Sequence, residues 1–291
     1  MSLKIVVLAK QVPDTRNVGK DAMTPEGTVN RAALPAIFNP EDLYALEQAL
    51  RLKEQNPGST VHVITMGPPR ATEIIREGLY RGTDGGALLT DRAFAGADTL
   101  ATSYALSQAI KKLGMPDIVI GGRQAIDGDT AQVGPQVAQK LDLNQVTYVT
   151  SIDSIADGKV TVTRHIDGGI ERVEAPLPIL LTITSGAAPC RPRNAKLVMK
   201  YKRAMAPMEL PKDAELPYAE EYAKKPYLNV TQWSVADVDG DLEQCGLAGS
   251  PTKVKAVQNI VFKAKESKRL TAADAEVESL IKELLDSHTI G

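Results

Sequence analysis

Short apolar runs alternate with helix-period segments along the first half of the chain, and this alternation restricts the fold more than any other feature. Residues 5–9 form an unbroken apolar run, the pattern of a strand buried on both faces of a parallel sheet. Asn39 is placed to cap a helix, Pro40 takes its first position, and Asp42 stands three residues after the cap. Leu43, Leu46 and Leu50 then line one face of that helix. A second strand is expected over 61–66, closed by Gly67-Pro68-Pro69, then a helix over 71–81 stopped by Gly82, and a third strand over 87–89. Asp98 opens another helix, with Leu106, Ala109, Ile110 and Leu113 on one side. A fourth strand over 118–120 ends in Gly121-Gly122, and Gly134, Val137, Ala138 and Leu141 stripe the helix after it. This order predicts an α/β fold: a doubly wound, mostly parallel sheet of Rossmann-like nucleotide-binding architecture.

The texture changes after Leu141. Residues 146–152, 160–166, the neighbourhood of Val173, and 179–183 read as strands divided by Asp157-Gly158 and Asp167-Gly168-Gly169. Such dipeptides favour positive φ and antiparallel hairpins, so an antiparallel addition to the sheet edge is expected. From Ala204 the helical signal fades among charges and four prolines, Pro207, Pro211, Pro217 and Pro226. The expected division is an α/β domain over 1–203 and an extended C-terminal arm over 204–291. That arm ends in an amphipathic helix after Thr271, with Val277, Leu280, Ile281 and Leu284 on the side that needs a partner to cover it.

Several function classes lose support. A formal charge of -2 lacks the basic excess of a nucleic-acid binder. No stretch approaches the ~20 apolar residues of a membrane span, and the apolar run at 5–9 is too short for a signal peptide. Cys190 and Cys245 form neither a redox nor a metal pair, and His62, His165 and His288 are scattered, so a reducing cytoplasm is the expected setting. There is no G-x-G-x-x-G after a strand, no phosphate loop ending in Gly-Lys-Ser/Thr, and no nucleophile–His arrangement to nominate.

In an open parallel sheet, ligands bind beyond the carboxyl ends of the strands. The segments at those ends are rich in Gly, Pro, Asp, Asn and Arg. The richest is Gly121-Gly122-Arg123-Gln124-Ala125-Ile126-Asp127-Gly128-Asp129-Thr130-Ala131-Gln132, followed by Val133 and Gly134. Its glycines allow close approach to a ligand, and Thr130 with the next helix's first amides offers donors to a phosphate. Asp127 and Asp129 repel a phosphate and fit better as helix caps or as acceptors from ribose hydroxyls or amides. A glycine-rich turn plus a cap explains the same residues. Asn39-Pro40-Glu41-Asp42 is likewise a helix start or a binding loop, Lys10 a solvated end or a phosphate contact, and Met66 a core residue or an adenine contact. The run from Asp91 to Thr99 places Arg92 and Phe94 before a helix opened by Asp98 and Thr99, and on its own it reads as a loop with one buried aromatic, Phe94, and a cap, Asp98. On the residues alone the reading stops at a parallel-sheet nucleotide binder with an arm.

These residues also resemble the electron-transfer flavoprotein beta subunit. The family signature is filled by Val162, Arg164, Asp167-Gly168-Gly169, Glu171, Val173, Pro178, Leu180-Leu181 and Thr182. Lys10-Gln11-Val12-Pro13-Asp14, Asn39-Pro40, Ala45-Leu46-Glu47 and Gly122 through Asp127 follow in family order, so the resemblance covers nearly the whole chain. It implies a heterodimer with a FAD-bearing alpha subunit and a second nucleotide in the crevice. The contacts carried over are Ala9, Asn39, Pro40, Glu41, Asp42, Met66, Gly67 and Arg123 through Gly134.

Within that family the nucleotide is either AMP, as a structural ligand, or a second FAD that takes hydride from NADH. In the second case the two electrons part, one to the alpha-subunit flavin and one to a low-potential acceptor such as ferredoxin or flavodoxin. Residues 65–69, 91–99, 127–135 and 248–252 resemble the bifurcating branch, and Gly128 stands where AMP-binding members commonly have a bulkier acid. The resemblance also implies that Arg92, Phe94, Asp98 and Thr99 border an NADH site: Phe94 against a ring, Arg92 on a phosphate, the helix start receiving an anion. It implies an acyl-CoA-type dehydrogenase as partner, anchored through Ala195 or Leu197. A nucleotide-sensing or adenylate-forming protein would need a Ser-Gly-Gly-x-Asp-Ser loop after the first strand, and Ala9-Lys10-Gln11-Val12-Pro13 is not one.

Overall fold

The computed structural model describes residues 2–14, 35–210, 224–252, 267–287 and 289–290, so Pro211, Pro217 and His288 lie outside the described residues. The elements are β1 (Lys4–Leu8), β2 (Gln11–Pro13), β3 (Ala36–Phe38), α1 (Pro40–Gln55), β4 (Thr60–Met66), α2 (Thr72–Leu79), β5 (Gly85–Leu89), α3 (Thr99–Leu113), β6 (Ile118–Gly122) and α4 (Val133–Lys140). They continue with β7 (Asn144–Ala156), β8 (Lys159–Ile166), β9 (Gly169–Pro176), β10 (Ile179–Ile183), α5 (Ala195–Tyr201), β11 (Thr231–Trp233) and α6 (Asp274–Asp286). Nine strands form one sheet in the order β11-β5-β4-β1-β6-β10-β7-β8-β9, and β2 pairs with β3 in a small antiparallel ribbon. All pairings from β11 to β7 are parallel, while β8 and β9 are antiparallel.

β1 is central because its apolar residues serve both faces. Ile5 and Val7 join the cluster under α1 with Leu46 and Leu50, whereas Val6 and Leu8 join Leu106, Ile110 and Val137 from α3 and α4. Each such side chain contributes about 1.5–3 kcal/mol when fully buried. The alternation therefore sandwiches the sheet between helices on both sides. The edge hairpins follow the turn chemistry: Asp157 and Gly158 both have positive φ, 50° and 74°, between β7 and β8, and Gly168 at φ 80° joins β8 to β9.

The β2–β3 ribbon and α5 have no counterpart in the sequence reading, and three further parts of the chain depart from it. β5 begins at Gly85 rather than at residue 87, because a side chain at Gly86 would meet the Val63 carbonyl oxygen 2.7 Å away. β10 is not part of the antiparallel edge: it returns to the sheet interior between β6 and β7, parallel to both and buried at all five residues. The chain from Ala204, expected as an extended arm, gives β11 to the sheet beside β5. Ala204, Ala206, Leu228 and Val230 pack on Ile75, Leu79 and Leu88, and Val235, Val238 and Cys245 join the cluster over α3. By contrast α6 has no buried residue, and Val277, Leu280 and Ile281 are exposed. Among the described residues no helix is long and apolar enough to cross a membrane, and no group of His, Cys, Asp and Glu could hold a metal ion.

Candidate functional site

The chain leaves β1 toward β4 on one side of the sheet and leaves β6 toward β10 and β7 on the other, so a switch-point crevice lies beyond the carboxyl ends of β1 and β6. Three side chains from the start of α1 line it. Asp42 accepts from the Lys10 amide at 2.8 Å and the Gly122 amide at 3.1 Å, joining both strand ends to the helix. Burial pushes the Asp42 carboxyl up to about 7, while the Lys10 amide, the Asn39 side chain and the Gly122 amide pull it down and Glu41 adds to the rise. Asn39 precedes Pro40 at the helix start, yet its side chain does not cap the helix. It reaches across instead, donating to the Gln124 carbonyl at 2.9 Å and accepting from the Ile126 amide at 3.2 Å. Glu41 accepts from Arg123 Nη2 at 2.9 Å, Arg123 Nε at 3.3 Å and the Gln124 amide at 3.1 Å.

The loop after β6 is thus tied down along its length. Ala125 accepts from the Gly128 and Asp129 amides, and Asp129 and Ala131 take positive φ of 48° and 52°. Asp127 meets Lys10 Nζ at 2.7 Å, and Asp129 accepts from Gln124 Nε2 at 2.8 Å. Neither aspartate caps α4, which starts at Val133 behind Gln132. The two glycines of the loop differ sharply. A Cβ on Gly122 would lie 2.5 Å from Asp42 Oδ1 and 2.7 Å from the Glu41 carbonyl carbon, whereas one on Gly128 would meet nothing within 4 Å. Thr130 is exposed, and Gly134 lets α4 approach Thr182 of β10.

On the β4 side, the Ala9 amide donates to the Ile64 carbonyl and the Gly67 amide to the Leu89 carbonyl, fixing the ends of β1, β4 and β5. Met66 packs against the α3-side cluster. The segment before α3 differs from its expected role. Phe94 is buried in that cluster, so its ring is not available for stacking. The α3 amides expected to receive an anion already bind Asp98, whose carboxylate accepts from Leu100 and Ala101. The same carboxylate accepts from the Thr252 amide and hydroxyl, and these bonds hold it below the usual carboxylate range against the opposing effect of burial. Arg92 is exposed. Thr99 donates to Gln132 at 2.8 Å, linking α3 to the β6 loop.

Tyr148, absent from the sequence-based site, stacks near Arg123 with the guanidinium carbon 5.6 Å from its ring centre. It stands at φ 59° in a bulge where the β10–β7 register shifts, a conformation costing a tyrosine about 1–3 kcal/mol. Hydrogen bonding to the Glu41 side chain first, and then to the Tyr148 side chain, pushes the Arg123 guanidinium further up against the opposing effect of burial. No local sequence signal marks this tyrosine, because the bulge arises from pairing across β10.

The model of the electron transfer flavoprotein domain matches residues 26–207 of this chain. The chain belongs to the electron transfer flavoprotein family. It is 43% identical over 253 residues to the electron transfer flavoprotein subunit beta of Clostridium acetobutylicum, covering 87% of this chain and 86% of that one. It is 45% identical over 252 residues to the caffeyl-CoA reductase-Etf complex subunit CarD of Acetobacterium woodii, covering 87% and 86%. Protein FixA of Sinorhizobium fredii is 38% identical over 292 residues, covering 98% and 93%. The chain is thus a beta-type subunit of this family.

Proposed function

We propose that this beta-type subunit pairs with an alpha subunit and holds FAD, rather than AMP, in the switch-point crevice. The observation that carries the reading is the open space at Gly128, beside the close-packed turn at Gly122. A dinucleotide needs room beyond the turn that AMP does not, and an acidic side chain at Gly128 would project into that room. The likeness to CarD, named for a caffeyl-CoA reductase-Etf complex, supports the same branch.

The residues fit such a ligand. Ala9, Asn39 through Asp42, Met66, Gly67 and Arg123 through Gly134 would hold it, with Thr130 on the exposed side of the loop, while the Gly128 and Asp129 amides are taken by the Ala125 carbonyl. Lys10 and Arg123 are the crevice cations, and each is paired with a carboxylate, so an incoming phosphate must share them with Asp127 and Glu41. When bound, FAD supplies hydride acceptance from NADH and release of electrons one at a time. The proposed destinations are the alpha-subunit flavin and ferredoxin or flavodoxin, with an acyl-CoA-type dehydrogenase docking at Ala195 or Leu197 of α5. Asn194 caps that helix, and Arg191 before it is held by Glu47 and Glu54 of α1. The exposed stripe of α6 would lie on the alpha subunit. Two free thiols, Cys190 and Cys245, suit a cytoplasmic setting.

Extraction of nucleotides from the purified heterodimer tests the reading. Two FAD per heterodimer are expected, and one FAD with one AMP would overturn it. A Gly128→Glu heterodimer should lose the crevice FAD while keeping the alpha-subunit flavin; a full flavin complement would mean that Gly128 does not border the ligand.

A further inference from the structure

Tyr148 occupies a position that its own chemistry does not favour. At φ 59° glycine and asparagine are the comfortable residues, and a bulky aromatic is an outlier. Burial does not explain its presence, since the residue is 42% exposed. Its backbone contributes a long hydrogen bond, 3.4 Å from the Tyr148 amide to the Thr182 hydroxyl, which any residue could make. What the side chain does make is the contact with Arg123.

Arg123 is fixed from three directions. Its amide donates to the Ile183 carbonyl at 2.8 Å, so the residue leaves the sheet between β6 and β10. Glu41 takes Nε and Nη2 from the α1 side, and the Tyr148 ring lies against the guanidinium from the β7 side. A guanidinium carries five N–H donors in a planar fork, and Glu41 engages only two of the three nitrogens. Without the ring, the fork could swing about the Glu41 contact into solvent.

We propose that Tyr148 is a positioning residue, whose ring holds the Arg123 guanidinium in the orientation that receives a phosphate of the crevice nucleotide. This inference rests on the reading that the crevice binds a nucleotide. It accounts for an exposed aromatic on unfavourable backbone: the contact with Arg123 is what keeps a tyrosine where glycine or asparagine would sit more easily.

The test uses the heterodimer freed of its crevice nucleotide, with FAD and, in parallel, AMP as probes in equilibrium dialysis. Tyr148→Asn and Tyr148→Gly both accept positive φ and remove the ring, and Tyr148→Phe retains it. Affinity should fall about two- to fivefold in the Asn and Gly variants, the change that an exposed cation–π contact supports. Tyr148→Phe, which keeps the ring and loses only the hydroxyl beside Arg123, should recover part of the loss. Arg123→Ala should weaken binding at least as much, and Tyr148→Asn on that background should add nothing, because the ring acts only through the guanidinium. Unchanged affinity in Tyr148→Asn, or full additivity with Arg123→Ala, would overturn the inference. So would loss of the heterodimer in size-exclusion chromatography with affinity intact, which would make the ring a subunit contact. A wild-type heterodimer binding neither FAD nor AMP at this crevice would overturn the underlying reading as well. A loaded wild type with an indifferent Tyr148→Asn would overturn this inference alone.

Discussion

Replacing Gly122 by alanine should disrupt the crevice through a clash with the first turn of α1. The new methyl would lie 2.5 Å from Asp42 Oδ1, 2.7 Å from the Glu41 carbonyl carbon and 2.8 Å from the Asp42 nitrogen. Two of these atoms are backbone of the first turn of α1, and that helix is anchored by buried Leu46 and Leu50, so no flexible group can step aside. Overpacking of this kind costs about 1–3 kcal/mol. The same displacement breaks the Gly122–Asp42 hydrogen bond, which contributes about 0.5–3 kcal/mol across the protonated and charged forms of a carboxyl raised to about 7. The two effects share one movement and do not add fully, so roughly 2–4 kcal/mol is expected. For a chain of 291 residues that corresponds to a Tm lowered by about 3–7 °C. Differential scanning fluorimetry of the heterodimer reads it, with Gly128→Ala as the matched control. The Gly128 methyl would meet nothing within 4 Å, so its effect should stay within about 0.5 kcal/mol. Equal shifts in both variants, or a Gly122→Ala Tm unchanged from wild type, would refute the close approach of β6 to α1.

Asp42 should leave a mark on the pH dependence of stability. Its folded-state pKa is raised from 3.8 to about 7, so the folded form holds the proton more tightly, and this contribution is greatest below about pH 4 and lost as pH rises toward 7. The span is at most about 4 kcal/mol, and Asp42→Asn should flatten the decline; an unaltered slope in pH-dependent denaturation would remove Asp42 as its source. Arg92→Ala should slow NADH-dependent reduction of the crevice flavin without releasing it, because Arg92 is the exposed cation in the turn before α3. Normal stopped-flow kinetics in a fully loaded variant would take Arg92 out of the NADH path. Deleting the chain after Thr271 should weaken assembly with the alpha subunit, since covering Val277, Leu280, Ile281 and Leu285 would contribute about 1.5–3 kcal/mol each. Undiminished co-purification of the truncated chain would refute the docking of α6.

The parallel sheet was legible because its signals are local. Residues 5–9 are apolar on both faces, and β1 is indeed buried between two helical layers. Asp157-Gly158 states its turn in two residues, and both take positive φ. Less legible were elements whose reason lies far along the chain. Gly85 and Gly86 look unlike a strand start, yet β5 includes them, paired with His62 and Val63 of β4, which crowd the space a side chain would need at each. β11 is three residues long in a stretch of prolines and charges, and only the exposed edge of β5 and the apolar shelf of Ile75, Leu79 and Leu88 make it a strand on a packed segment. Local propensity carries no information about that shelf.

The same distinction separates site residues from their imitators. Asp98 reads as a helix cap and is one; its carboxylate is consumed by Leu100, Ala101 and Thr252, which leaves it little to offer a ligand. Asn39 also reads as a cap, but its side chain abandons the helix for Gln124 and Ile126, across more than eighty residues of sequence. Tyr148 breaks the backbone rule for aromatics, and Gly122 breaks the strand rule for glycine, each to bring a β-strand end against Arg123 or Asp42. Asn39, Gly122 and Tyr148 each depart from a local rule, and each does so with a partner far along the chain, at the crevice between β1 and β6. These departures from local expectation support the proposal of a nucleotide crevice shaped by Asn39, Asp42, Gly122, Arg123 and Tyr148.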